Sequence, residues 1–216
     1  SRTSEPISQE YTYDSDTFAI VLNDQKLQAE ASWTTAMAVT TGRIDLMDIN
    51  KNGGYAVLSG EENVSRLRRY SSDGALIWSK DIAGPYGYGY PDLIAIGKDG
   101  QVALVIEYTS APSSAITIDG TEIANTGDST HAIAYFDPLG HLQWVTTGTG
   151  VKIVTRDIRI DDDGGLVISG DFLGKWEIGG RAVESKKNPV SNVYTDDAYI
   201  AKFSEDGKIL WINRMG

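Results

Sequence analysis

Apolar and polar residues alternate in short runs along most of this chain. In "AYIAKF", residues 198 to 203, Tyr199, Ala201 and Phe203 fall on one side and Ile200 and Lys202 on the other, the two-residue period of a half-buried β-strand. No stretch keeps a helical period over a useful length. The runs are separated by polar turns, and three of these are near copies: "SSDGALIW" at 71 to 78, "DPLGHLQW" at 137 to 144 and "SEDGKILW" at 204 to 211. Trp78, Trp144 and Trp211 are spaced by 66 and 67 residues. Four residues ahead of them stand Gly74, Gly140 and Gly207, and eight ahead stand Tyr70, Phe136 and Phe203. The motif reads as a β-hairpin whose glycine supplies positive φ in the turn and whose Trp fills a large volume on the returning strand.

A second strand-turn-strand mark precedes each hairpin: "MDINKNGGYAVLSG" at 47 to 60, "IAIGKDGQVALVIEY" at 94 to 108 and "IRIDDDGGLVISGDF" at 158 to 172. From their turn glycines Gly53, Gly100 and Gly164 to the following Trp the distances are 25, 44 and 47 residues. The first unit is therefore the minimal one, four antiparallel strands A to D in about 46 residues. The other two carry an added hairpin between B and C, turning at Asp119-Gly120 and Gly179-Gly180. Residues 12 to 31 line up with 193 to 212, with Tyr13 on Tyr194, Asp16 on Asp197, Phe18 on Tyr199 and, after one deletion, Ala29 in the Trp place.

The fold this predicts is all-β, a β-propeller-type array of four-stranded blades, with a half blade at 1–38 and blades at 39–85, 86–150 and 151–216. Known propellers use at least four blades, so about three and a half are expected to belong to a larger ring, completed by the same longer chain or by a partner chain. A β-sandwich is the alternative, but it does not require one register of Trp and Gly in every hairpin.

Composition narrows the chemistry. With 41% hydrophobic residues the 216-residue chain can bury a core. A net charge of -11 opposes general affinity for nucleic acid or anionic membranes. The absence of cysteine removes disulfides, thiolate zinc sites and a cysteine nucleophile. No apolar run reaches membrane-spanning length, and "SRTSEPISQE" lacks the pattern of a signal peptide. Without an initiator Met at its start, the chain is expected to have lost an upstream segment.

The succession of an Asp-Gly turn, "GGLVISG", an inserted hairpin and "DDAYIAKFSEDGKILW" resembles the bacterial β-propeller repeat family often labelled SBBP, over about residues 12 to 216. The hairpin ending in Gly and then Trp is also similar to pyrroloquinoline-quinone-type repeats. That family's quinone enzymes use adjacent cysteines, which this chain lacks. The resemblance implies a secreted, periplasmic or surface-attached bacterial module for interaction or scaffolding.

Strand parity puts both long B-to-C insertions and the D-to-A loop "AGPYGYGYPD" on one end. In that loop Tyr86, Tyr88 and Tyr90 alternate with Gly87 and Gly89, a composition suited to sugar or peptide recognition, or to wedging neighbouring blades. Asp45, Asp92 and Asp157 stand where A strands begin, able to line the channel mouth as a ring of carboxylates or to serve as turn caps. "DINKNG" from Asp48 opens like an EF-hand loop, but Ser59 stands where a bidentate Glu is needed. No cofactor or metal site is therefore expected, calcium being the one ion such carboxylates would suit.

Catalytic signatures are sparse. His131 and His141 fall in different places, and no nucleophile elbow, zincin helix or P-loop occurs. Asp92 with Asp157 is the one pair that could serve a carboxylate-based glycoside hydrolase or lyase on a propeller. "RLRRY" reads as a solvated strand with Arg66 and Arg68 on one side and Arg69 on the other, and Asn63-Val64-Ser65 is a glycosylation sequon only in a eukaryotic source. The expectation is a non-catalytic extracellular binding or scaffold module that takes a protein or carbohydrate through the insertion-bearing end. The alternatives are the hydrolase and a purely structural assembly module.

Overall fold

The computed structural model describes residues 43–61, 64–83, 90–107, 115–123 and 130–216, which contain strands and turns and no helix. Unit I pairs four strands in chain order: β1 (Arg43–Ile49), β2 (Tyr55–Glu61), β3 (Val64–Tyr70) and β4 (Leu76–Ala83). Unit II begins with β5 (Tyr90–Ile96) and β6 (Val102–Glu107). It then inserts the short pair β7 (Ile116–Ile118) and β8 (Thr121–Ile123), and continues through β9 (Thr130–Phe136) into the first part of β10 (Leu142–Ile160). Unit III takes the rest of β10, then β11 (Leu166–Ile178), whose far end pairs with β12 (Arg181–Glu184), then β13 (Asp197–Phe203) and β14 (Ile209–Met215). All pairings are antiparallel. Unit I with β7 and β8 makes a six-stranded sheet, and units II and III make a curled sheet of the half-barrel kind through their shared strand β10. No turn separates the last strand of unit II from the first of unit III. β10 runs straight on, with bulges at 150–152 and 155–157.

Both inserted hairpins attach in the same way. Ile118 pairs with Ile82, four residues after Trp78, and Ile178 pairs with Gly148, four residues after Trp144. Each insertion thus adds a strand to the outer strand of the unit before it. Asp119 and Gly120 (φ 48° and 80°) and Gly179 and Gly180 (φ 55° and 76°) make the two-residue turn with both central φ values positive. Trp176 anchors the second insertion with no exposure, 4.3 Å from the ring of Tyr199; Ile116 does the same for the first.

Two separate interiors result. Ala56, Leu58, Leu67 and Trp78 of unit I pack against Val102, Leu104, Ala134 and Phe136 of unit II. Ala103, Val105, Ile133 and Tyr135 on the other side of unit II pack against Leu166, Ile168, Tyr199 and Phe203 of unit III. Unit II is buried on both faces, which is why "VALVI" reads as an unbroken apolar run. The Trp motif holds these joints. A Cβ on Gly140 would lie 2.8 Å from the Trp78 ring, and one on Gly207 would lie 2.7 Å from the Trp144 ring. Trp78 donates its indole N–H to the carbonyl of Pro138 (3.2 Å), and Trp144 donates to that of Glu205 (2.8 Å), each acceptor standing two residues before the glycine. Each Trp therefore serves the glycine of the next motif, not its own.

"RLRRY" is not a solvated strand. Arg68 is 8% exposed and donates to the Ser59 hydroxyl at 2.7 Å, while Arg66 meets Asp81 at 2.7 Å. Arg69 lies flat on Gly100, where a Cβ would come within 1.9 Å of its guanidinium, and it shares the Pro138 carbonyl with Trp78 at 3.2 Å. A run of like charge cannot reveal that the neighbouring unit leaves a glycine-shaped space for one of its members.

The A-to-B turns meet across units. Asn50 and Asn52 of unit I donate to the carbonyls of Gly97 (2.9 Å) and Lys98 (2.8 Å) of unit II. Lys51 of unit I reaches Asp162 of unit III at 2.7 Å, past unit II, and Lys98 donates to the Asp162 carbonyl. Exposed pairs of this kind add little stability. Their value is geometric: they bring the A-to-B turns of units I, II and III together.

Candidate functional site

The A strand of each of the three units contains one extra residue at a β-bulge. The extra residues are Asp45 in unit I, Asp92 in unit II and Arg156 in unit III. Asp45 and Asp92 thus share a position as the sequence suggests. Asp157 lies one residue past the equivalent place; its carboxylate accepts the Ile158 N–H (2.9 Å) and meets Arg159 at 2.9 Å.

Each bulge residue faces the B-strand residue seven places after the turn glycine of its own unit, and the three pairs differ. A Cβ on Gly60 would lie 2.7 Å from the Asp45 carboxylate, so a side chain there would have to displace it. In unit II the partner is Glu107, and in unit III Arg156 meets Asp171 at 2.7 Å. Partial burial holds the Asp92 carboxyl above its ordinary pKa, against the opposing effect of the backbone N–H it accepts from Glu107. Glu107 is raised by burial first and by the Asp92 charge second; the Thr155 N–H it accepts and the Arg156 charge pull the other way. Tyr199 lies below, its hydroxyl 2.8 Å from that of Thr155, and burial lifts its phenol pKa. Carboxyls from two units and one guanidinium therefore gather at the junction of units II and III. The sequence pairing of Asp92 with Asp157 is replaced here by Asp92 with Glu107.

Glu107 has the sign opposite to an ordinary ion-paired acid. Its folded pKa is raised, so its stabilising contribution is complete below the unfolded value and is lost as pH rises through the folded one. Glu107→Gln keeps an oxygen for the Thr155 N–H and should raise the thermal midpoint at pH 7 by about 2 °C, with no gain at pH 4. Calorimetry at the two pH values checks this, and an equal shift at both would exclude the electrostatic cause.

The remaining candidates fall elsewhere. Tyr86 and Tyr88 lie outside the described residues. Tyr90 opens β5 and pairs with Glu107, which pairs with His131, which pairs with Gly148, so one cross-strand row leads from the Tyr-Gly loop into the junction. His131 is fully enclosed beside Trp176, with ring centroids 5.7 Å apart, and neither its ring nitrogens nor the Trp176 N–H has a hydrogen-bond partner. His141 sits in an outer turn, 2.9 Å from Asp137, and shares no site with His131. The Asp48 carboxylate accepts the Ile49 and Ile96 N–H groups, both at 2.9 Å, so "DINKNG" joins units I and II as a turn. No group of three or more metal-ligating side chains occurs among the described residues. An open cavity of about 500 Å³ lies on the outer flank of unit I, where Arg66 and Arg68 face Asp81 and Asp119.

Glu107, Arg156, Asp171 and Trp176 were not singled out by the sequence. Glu107 was readable as a carboxylate closing a fully apolar strand, but Arg156 required knowing where the bulge falls. No protein-family model matches this chain, and no curated protein matches it either.

Proposed function

We propose that the chain is a β-propeller-type array of four-stranded blades, and that it works as a non-catalytic extracellular binding or scaffold module. The ligand is a protein or a glycan, met through the end that carries the two insertions and the Tyr-Gly loop. The observation that carries this reading is the common anchoring of the insertions, each adding a strand at the same register to the preceding unit. Hairpins fixed this way form a rigid, raised rim on one end, with the cost of ordering a contact surface already met on folding. The convergence of the A-to-B turns and the Trp joints between successive units supports the radial arrangement.

Replacing Tyr86, Tyr88 and Tyr90 together by Ala should abolish capture on a glycan array or in a pull-down and leave the urea midpoint within its error. A large loss of stability instead would assign these rings to packing. The Asp92–Glu107 pair favours one second reading, a carboxylate hydrolase, because two coupled acids of raised pKa can divide donor and acceptor roles. Turnover of a glycoside panel that disappears in the Glu107→Gln variant would support it.

A further inference from the structure

The two insertions attach at one register, but they cover different side chains. In unit I the cross-strand row under the first insertion runs Ser65, Ile82, Ile118; under the second it runs His131, Gly148, Ile178. Gly148 makes the room for two rings, since a Cβ there would lie 2.6 Å from Cε1 of His131 and 2.9 Å from Nε1 of Trp176. The imidazole is 2% exposed, lies 5.7 Å from Trp176 between ring centroids, and has no hydrogen-bond partner at either nitrogen. In the first insertion Ile116 stands in the place of Trp176, and the Ser65 beneath it does not titrate.

We propose that His131 and Trp176 form a proton-operated catch for the second insertion: when the imidazole takes up a proton, the arm from Lys175 to Glu184 lifts from β10 and carries Trp176 away. A cation with two N–H donors and no acceptor costs far more to enclose than a neutral ring. Of the two segments that could yield, β9 is hydrogen-bonded on both sides, to β6 and to β10, whereas the arm joins β10 only through residues 176–178. The arm is the weaker attachment, and a two-stranded hairpin off its sheet is marginal in water, so lifting it also frays it. Around the ring, β10 contributes Gly148, β6 contributes Glu107, and β13 contributes Tyr199 and Asp197, while Lys175 and Glu177 pair with each other on the exposed side of the arm. Asp197 is engaged by the Lys186 N–H and by Arg214 at 3.6 Å, and Tyr199, its phenol pKa raised by burial, keeps its proton in acid. Burial and the Asp92 charge hold the Glu107 carboxyl above its ordinary pKa, so it loses charge as the imidazole gains one, and beyond it Arg156 is paired with Asp171.

The second insertion belongs to the end where the proposed function puts the ligand. On that reading, and only on it, acid loosens the contact surface while the first insertion stays in place; the catch itself needs no ligand. Amide hydrogen exchange of the full chain, read by mass spectrometry as protection relative to the unstructured rate at each pH, tests it directly. Residues 175–184 should be less protected than β6 at every pH, because they open on their own. Their protection should fall about 20-fold between pH 7 and pH 5, the factor set by an imidazole that titrates at 6.5 when released and at about 4 when enclosed. Residues 116–123, whose insertion covers no imidazole, should hold level. His131→Leu should make residues 175–184 hold level as well.

Protection of residues 175–184 equal to that of β6 at both pH values would mean that the arm leaves only when the whole chain unfolds, and would overturn the catch. So would protection that does not change with pH, or a fall that persists in the His131→Leu variant. None of these outcomes bears on the ligand reading, which is decided by the Tyr-Gly capture experiment.

Discussion

Trp78→Ala is expected to cost roughly 3–5 kcal/mol, the range for removing a large aromatic side chain from a packed interior. The ring is 8% exposed, lies against the backbone of Gly140 and sits tilted with its centroid 5.8 Å from that of Phe136, so its loss opens the joint between units I and II. The flanking strands cannot close the gap without pulling the Gly140 turn out of its own hairpin. Trp78→Phe keeps most of the apolar area and loses the bond to the Pro138 carbonyl, which adds about 1 kcal/mol to the cost of a smaller ring. Leu139→Ala, at a side chain 71% exposed in the same turn, should stay within about 0.5 kcal/mol of the parent. Urea unfolding of the three variants ranks them. A Trp78→Ala cost no larger than that of Leu139→Ala would mean that the Trp motif does not hold the units together.

The second large effect is a loss of stability on acidification that belongs to His131. Enclosure beneath Trp176 pushes its imidazole down to about 4 from an ordinary value of 6.5. The folded chain therefore keeps this ring neutral where the unfolded chain already binds a proton. The stability it contributes is present above pH 6.5 and is lost as pH falls toward 4, by about 3 kcal/mol in all. Glu107, its cross-strand neighbour, works in the opposite direction over part of that window and softens the slope. His131→Leu should flatten the dependence between pH 6.5 and 4. It should be at least as stable as the parent at pH 7, because it removes two buried nitrogens that have no partner. Urea midpoints at pH 7, 5.5 and 4.5 decide the matter: parallel curves for parent and variant would release His131 from the role.

Much of the strand plan is legible in the residues. Alternation in "AYIAKF" and the recurrence of Gly and Trp place the outer hairpins, and Asp119-Gly120 and Gly179-Gly180 turn the insertions with the backbone conformations those residues suit. What a period cannot supply is the partner of each mark. Gly207 and Trp211 are four residues apart, yet the ring on Gly207 belongs to Trp144.

The candidate site suffered from a finer version of the same limit. Strand parity assigns faces only while the count of residues is regular, and a single bulge shifts every later side chain by one place. Asp157 looks equivalent to Asp92 in the sequence, but the bulge puts Arg156 there, converting the expected row of carboxylates into two acids and a base. The burial of Arg68 and Arg69 was hidden for a different reason. It depends on Ser59 and Gly100, residues from other strands whose proximity no local pattern records.

β10 carries a mechanical consequence. Its 19 residues have a contour length of roughly 60 Å, and its two halves are hydrogen-bonded to β9 and to β11. A protease seeking a slack segment between units II and III finds a ladder in its place, and tension applied along the chain there would have to shear many bonds at once. Those two units should therefore survive limited digestion as one inseparable block, a tie beam built into the molecule where most modular proteins place a hinge.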